Sequence, residues 1–255
     1  MYKIKERLKK GELVLGTIIS EIRNPNVAYM LAQCGFEFFI IDNEHGTYNV
    51  ETITNMVAAA RGAGISVVVR IPEITRENVL KPLDSGASGL LVPMVNTTGQ
   101  AKEVISHAKY PPMGNRGAAL RRPHNLYAKV NATEYLEQAN ENTFIAVQAE
   151  TTESIENINE IAAVEGVDCI FVGPFDLSIS LGIPGQINHP LEVEAIKKVA
   201  SACKKYNKIA GILMFDQDLL KQWIDKDFRF AVYSSDITLL ADAASNAVKE
   251  LKELS

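Results

Sequence analysis

The chain has 255 residues, 47% hydrophobic and 22% charged, with a formal net charge of −5. That is enough apolar material for one α/β barrel or two small domains. The acidic balance argues against a nucleic-acid or other general polyanion surface, leaving only a local basic pocket open. Cys34, Cys169 and Cys203 are widely spaced in apolar stretches, which predicts reduced core thiols rather than a disulfide framework or a zinc site. The polar start MYKIKERLKK does not read as a signal peptide, and no apolar run reaches the ~18 residues of a spanning helix, so a cytoplasmic protein is expected.

Eight short apolar runs follow in order: LVLGTII (13–19), FEFFIID (36–42), SVVVR (66–70), SGLLVPM (88–94), FIAVQAE (144–150), DCIFVG (168–173), IAGILM (209–214) and FRFAVY (228–233). Several are apolar at consecutive positions, as in parallel strands covered on both faces. Helical segments lie between them. Asn24-Pro25 predicts a start for a helix with Val27, Met30 and Leu31 on one face and Gly35 as its stop; Asn49, Thr152, His189-Pro190 and Asp216 predict further starts. The last stretch, Asp236 to Leu254, repeats Leu240, Ala244, Val248 and Leu251. Eight strands with intervening helices, no linker and no glycine-rich phosphate loop after the first strand predict a single (β/α)₈ barrel over residues 1–255 rather than an open sheet. Two insertions interrupt the pattern: YPPMGNRGAALRRPHNLY with a short helix near 128–138, and a DLSISLG turn after the sixth strand.

The informative residues stand where strands end, because in such a barrel those ends converge on one face. They are Asp42 and His45, Arg70, Glu150 and Asp176. Glu150 and Asp176 offer hard oxygen ligands to a divalent cation and leave positions open for water and a chelating substrate; each alone could equally cap the following helix. Arg70 either pairs with a neighbouring carboxylate or presents its fork to a substrate. His45 alone reads as readily as a surface group as a catalyst. The turn Gly173-Pro174-Phe175-Asp176 opens a helix whose free N–H groups could hold a carboxylate. No lysine ends a strand, which argues against Schiff-base chemistry.

The ordered set IIDNEH, VVVRIP, LLVPMV, YPPMGNRG, VQAET, GVDCIFVGPFDLSISLG, HP and SSDITLLA resembles the class II pyruvate aldolases of the HpcH/HpaI family, over the span from Gly16 to about Ala244. The resemblance implies a phosphoenolpyruvate/pyruvate-type barrel whose eighth helix is exchanged between subunits of a hexamer, a trimer of dimers. It implies Glu150 and Asp176 as ligands of Mg²⁺, Mn²⁺ or Co²⁺, and Gln148 with the backbone at Phe175 as the pyruvate cradle. It further implies His45 as base, Asp84 as the acid that raises its basicity, Arg70 as enolate stabiliser and Asp42 as support of the His45 loop. The implied reaction is reversible cleavage of a 4-hydroxy-2-oxo acid, such as 4-hydroxy-2-oxoheptanedioate or a 2-keto-3-deoxy sugar acid, to pyruvate and an aldehyde. A decarboxylase or acyl-CoA lyase on the same fold, and a silent metabolite-binding barrel, are the alternatives. Tyr48, Phe175 and Tyr233 depart from the family pattern and are expected to narrow the mouth; Arg116, Arg121, Arg122 and His124 either bind a distal carboxylate or form a solvated loop.

Overall fold

The computed structural model describes residues 3–253. Its strands are β1 Val14–Ile19, β2 Phe38–Asp42, β3 Ser66–Arg70, β4 Gly89–Val92, β5 Phe144–Ala149, β6 Cys169–Val172, β7 Ile209–Met214 and β8 Phe228–Ser235. They close in chain order, and every neighbouring pair is parallel. The helices are α1 Lys3–Lys9, α2 Val27–Gln33, α3 Val50–Ala63, α4 Arg76–Asp84, α5 Thr98–Ala108, α6 Ala132–Asn142, α7 Thr152–Glu156, α8 Ile158–Ala162, α9 Pro174–Ser180, α10 Pro190–Lys205, α11 Gln217–Ile224 and α12 Asp236–Lys252. The expected (β/α)₈ barrel is the observed one.

Strand alternation feeds two separate cores. Phe39 and Ile41 point outward to the helices with Val67, Val69 and Ile212, whereas Phe38 and Ile40 point into the barrel with Val68, Leu91 and Val232. Inside, Phe38 stacks on Phe230 with ring centroids 4.4 Å apart, and Phe144 and Phe171 meet Phe230 edge-on. Burying each such ring stabilises the fold by roughly 1.5–3 kcal/mol. Gly16 makes room for this layer, since a Cβ there would lie 2.5 Å from the Phe38 ring. Ile4 and Leu8 of α1 join the inner core and close the base, the end where strands begin. The aromatic plug fills the barrel from below, so space for a ligand is left at the mouth, where strands end.

Local signals explain most helix starts. Asn49, His189 and Asp216 accept N–H groups of Thr52, Leu191 and Leu219 as N-caps. Elsewhere side-chain turns move the boundary. Asn24 accepts the Asn26 N–H at 3.0 Å, so α2 begins at Val27, and Met30 is exposed rather than on the buried face. Cys34, the residue after α2, is exposed, so only Cys169 and Cys203 are core thiols; all three are free. Thr151, not Thr152, caps α7, and the single expected helix breaks at Asn157, whose amide donates to the Asn96 carbonyl. The short helix of the first insertion starts later, at Ala132, because Asn131 caps it.

Along α12 the only buried residue is Asp236, and the repeat Leu240, Ala244, Val248 and Leu251 faces outward. Among the described residues no helix is long and apolar enough to cross a membrane.

Candidate active site at the mouth of the barrel

Asp42 and Arg70 are register partners at the ends of β2 and β3. Their side chains form a buried fork: Arg70 Nε donates to Asp42 Oδ1 at 2.9 Å and Nη2 to Oδ2 at 2.7 Å. Beyond β2 the chain folds back because Asp42 Oδ1 also accepts the N–H groups of Glu44 and His45, at 3.1 and 3.3 Å. Asp42 thus accepts two backbone N–H groups of the turn that carries His45. That turn carries Glu44 onto Arg70, with Oε2 3.0 Å from Nη1. Glu44 is a site residue that strand-end reasoning passes over; the signal for it is the aspartate two residues earlier, a residue type that turns its own backbone. The His45 ring stands 68% exposed at the rim, 3.9 Å from Glu44.

Across the mouth, Glu150 follows β5 and is buried, accepting the Met94 N–H at 2.7 Å on Oε1 and the Gln148 amide on Oε2. Gln148 is also buried, and its Oε1 has no hydrogen-bond partner. Gly173 lies against this pair: a Cβ there would sit 2.5 Å from Glu150 Oε2 and 3.1 Å from Gln148 Nε2. From Gly173 the chain enters α9, whose first turn carries Phe175 and Asp176. Arg70, Gln148, Gly173, Pro174, Phe175 and Asp176 line one cavity of about 170 Å³, floored by the inner-core residues Ile18, Ile40, Leu91 and Val232. That volume is below the ~300–1,000 Å³ of sites for drug-sized ligands, so the cavity suits a compound of a few carbons. Among the described residues no lysine lines it.

The charge balance is the site's main physical property. Four carboxylates, Asp42, Glu44, Glu150 and Asp176, interact around one guanidinium. Burial first, then the charges of Glu44 and Asp176, push the Glu150 carboxyl up to about 7 against the opposing pull of the Met94 N–H and Arg70. Glu44 is raised too, chiefly by burial and in spite of Arg70. Among the described residues no three His, Cys, Asp or Glu side chains form a ready metal cage. What the mouth offers is a pair of hard oxygen donors, Glu150 and Asp176, in an anionic surround with an unsatisfied buried oxygen on Gln148. This donor set fits a divalent cation that keeps coordination positions for water and substrate.

Other expected site residues lie away from this cavity. Asp84 is the last residue of α4, which runs from the mouth after β3 back to the base; there it binds Arg116 at 2.7 Å and is not beside His45 of the same chain. The Arg116 loop docks at that same end. Arg116 is buried over the Tyr110 ring, His124 is buried against Tyr135 and the Ala119 carbonyl, and Arg121 and Arg122 are exposed. Tyr233 follows the inward-facing Val232 and so packs outward, while Tyr48 is buried with its hydroxyl 3.3 Å from the Ile22 carbonyl. Of the three bulky departures only Phe175, 61% exposed, stands at the cavity. Asp236, which sequence reading left aside, ties the β1 and β8 ends together by accepting the N–H groups of Ser20, Glu21 and Ile22 at 3.1, 3.0 and 2.8 Å.

Comparison with known proteins places this arrangement among relatives. The family described as HpcH/HpaI aldolase/citrate lyase matches residues 20–243. A 2-keto-3-deoxy-L-rhamnonate aldolase of Escherichia coli O17:K52:H18 is 32% identical, over 97% of this chain and 92% of the relative. A 5-keto-4-deoxy-D-glucarate aldolase of Shigella boydii serotype 18 is 31% identical, over 92% of this chain and 90% of the relative. The crystal structure of an HpcH/HpaI aldolase from Desulfitobacterium hafniense DCB-2 superimposes with a TM-score of 0.96 at 34% identity, covering 99% of this chain and 97% of that one.

Proposed function

Because the chain belongs to the HpcH/HpaI aldolase/citrate lyase family, and is thereby a carbon–carbon lyase, we propose that it is a divalent-cation-dependent aldolase that cleaves a 2-keto-3-deoxy sugar acid, or another 4-hydroxy-2-oxo acid, reversibly to pyruvate and an aldehyde. The observation that carries this is the excess of carboxylates around a single buried arginine at a cavity sized for a small acid. The names of the two curated relatives support the substrate class: each describes an acid with a deoxy carbon between its ketone and a hydroxyl. That is the bond pattern an aldol cleavage requires.

Glu150 and Asp176 would hold the cation, with Gln148 beside them. When bound, it supplies a Lewis acid toward the carboxylate and keto oxygens of pyruvate. Asp42 accepts two N–H groups of Arg70, and Glu44 is paired with its Nη1 at 3.0 Å. A guanidinium has five N–H groups, so donors remain on a side chain that lines the cavity, and they stabilise negative charge as it grows on the keto oxygen. The N–H groups that open α9 at Phe175 and Asp176 receive the pyruvate carboxylate. His45 at the rim takes the proton from the 4-hydroxyl as the C3–C4 bond breaks and returns it in the addition.

Asp84 can assist His45 only from another copy of the chain. We therefore read the uncovered Leu240, Val248 and Leu251 of α12 as the face that a second subunit covers, in an oligomer of the hexameric kind. In the same reading the Arg121 and Arg122 loop reaches a substrate only across a subunit boundary. The proposal is tested with a panel of 2-keto-3-deoxy sugar acids and 4-hydroxy-2-oxo acids in the presence of Mg²⁺, Mn²⁺ or Co²⁺, measuring pyruvate release. Release from at least one compound, abolished by EDTA, is expected; no pyruvate from any of them overturns the reading.

A further inference from the structure

The base of the barrel holds a second cavity, about 750 Å³, that this chemistry leaves unused. Lys5 of α1, Lys109 just past α5 and Lys208 just before β7 stand in its wall. Lys109 is 1% exposed, and its Nζ donates to the carbonyls of Asn140 and Thr143, both at 2.7 Å. Lys5 pairs with Asp168 at 2.9 Å and donates to the Thr143 carbonyl at 3.3 Å, the same oxygen that accepts from Lys109. Lys208 donates to the carbonyls of Val164 and Val167 at 3.0 and 2.7 Å. Asp227 is taken by Arg229 at 2.8 Å, and Lys9 and Glu141, also on the wall, are exposed.

Of the three amines only Lys5 has a carboxylate in ion-pair contact, Asp168, while Glu165 acts on Lys208 from farther away. Among the described residues no carboxylate is in ion-pair contact with Lys109 or Lys208; carbonyl oxygens solvate an ammonium but do not neutralise it. The charged groups acting on Lys109 are Lys5 from α1, Asp168 from the loop before β6 and Arg116 from the loop after α5, while α6 presents the Asn140 carbonyl and carries the exposed Glu141 on the same wall. Arg116 is itself committed to Asp84. Two N–H groups of Lys109 meet the two carbonyls, and the amine shares the Thr143 carbonyl with Lys5, so a proton added to it stands beside another ammonium. Burial, then Lys5, accordingly hold Lys109 down to about 7.

We propose that this cavity binds a small oxyanion, a carboxylate or a phosphate, between Lys109, Lys5 and Lys208, and that Lys109 gains a proton as the anion enters. The anion supplies the negative charge that the wall lacks, and its site lies at the opposite end of the barrel from Arg70. Raising the Lys109 pKa on binding makes affinity fall as pH rises from about 7 toward the higher value of the complex.

The test is calorimetry of the full chain with inorganic phosphate, and separately with acetate, at pH 8 in two buffers of different ionisation heat. Binding of either anion with uptake approaching one proton per chain is expected. Lys109→Met should abolish that uptake, and Lys208→Gln should weaken binding about tenfold while leaving the uptake in place. Absence of binding by both anions, binding without buffer dependence, or unchanged affinity in Lys208→Gln overturns the proposal. The Lys208 variant and the two-buffer comparison on the unaltered chain decide the matter even if Lys109→Met does not fold.

Discussion

Replacing Gly173 with alanine tests the site's geometry more sharply than removing a charged group. The added methyl would lie 2.5 Å from Glu150 Oε2, where ordinary contact begins near 3.4 Å, so about 0.9 Å must be found. The Glu150 side chain has little freedom to give it, being buried, held by the Met94 N–H at 2.7 Å on one oxygen and by Gln148 on the other. Losing one such charge-assisted hydrogen bond costs about 1.5–3 kcal/mol, and in a chain of this size that lowers Tm by about 3–12 °C. The effect on turnover is larger in proportion, because displacing a reacting group by ~1 Å costs ~10²-fold. Gly173→Ala is therefore expected to fold, to lose about a hundredfold in kcat for pyruvate release, and to bind the divalent cation more weakly. Gly99→Ala is the control, since a Cβ there meets only Thr97 Oγ1 at 3.7 Å. A Gly173→Ala enzyme within threefold of the unaltered kcat would refute the placement of Glu150 as a cation ligand.

Further outcomes follow from the same geometry. His45→Asn should lower kcat by about 10²–10⁴ without changing Tm, because the ring is 68% exposed; a large loss of stability would mean that the residue is structural. Free of cation, Glu150 is raised from 4.5 to about 7 in the folded chain. The unfolded chain thus loses this proton first, and stability should fall by on the order of 3 kcal/mol between about pH 4.5 and 7. Glu150→Gln should flatten that part of the denaturation profile, and a divalent cation should reverse the fall only in the unaltered protein. Leu240→Asp with Leu251→Asp should convert the oligomer to smaller species in light scattering, and a monomeric unaltered protein would contradict the reading of α12.

The strands were legible because helices outside and aromatic rings inside cover both faces, leaving unbroken apolar runs such as Phe38–Ile41. Strand ends then brought Asp42, Arg70 and Glu150 to one mouth without any knowledge of long-range contacts. Glu44 was hidden because its position depends on a turn made by the Asp42 side chain rather than on strand register. The position of Asp84 is a different matter: a motif identifies a residue but not the end of the barrel it occupies. Helix direction does say so, since the last residue of a helix that follows a strand lies at the base. Tyr233 faces away from the mouth because the two-residue strand period turns it opposite to Val232. The broken α7–α8 pair depends on Asn157 reaching Asn96, a contact far apart in sequence that no local pattern carries.

The most direct measurement is exchange of the pyruvate methyl protons in D₂O, followed by NMR with the enzyme and Mg²⁺ or Mn²⁺, then with EDTA and with Arg70→Ala. Deprotonation of that methyl group is the half-reaction shared by cleavage and addition, and it needs no knowledge of the aldehyde. Exchange that requires the cation and is lost in the Arg70 variant is predicted. Exchange that survives both EDTA and removal of the guanidinium would contradict the account.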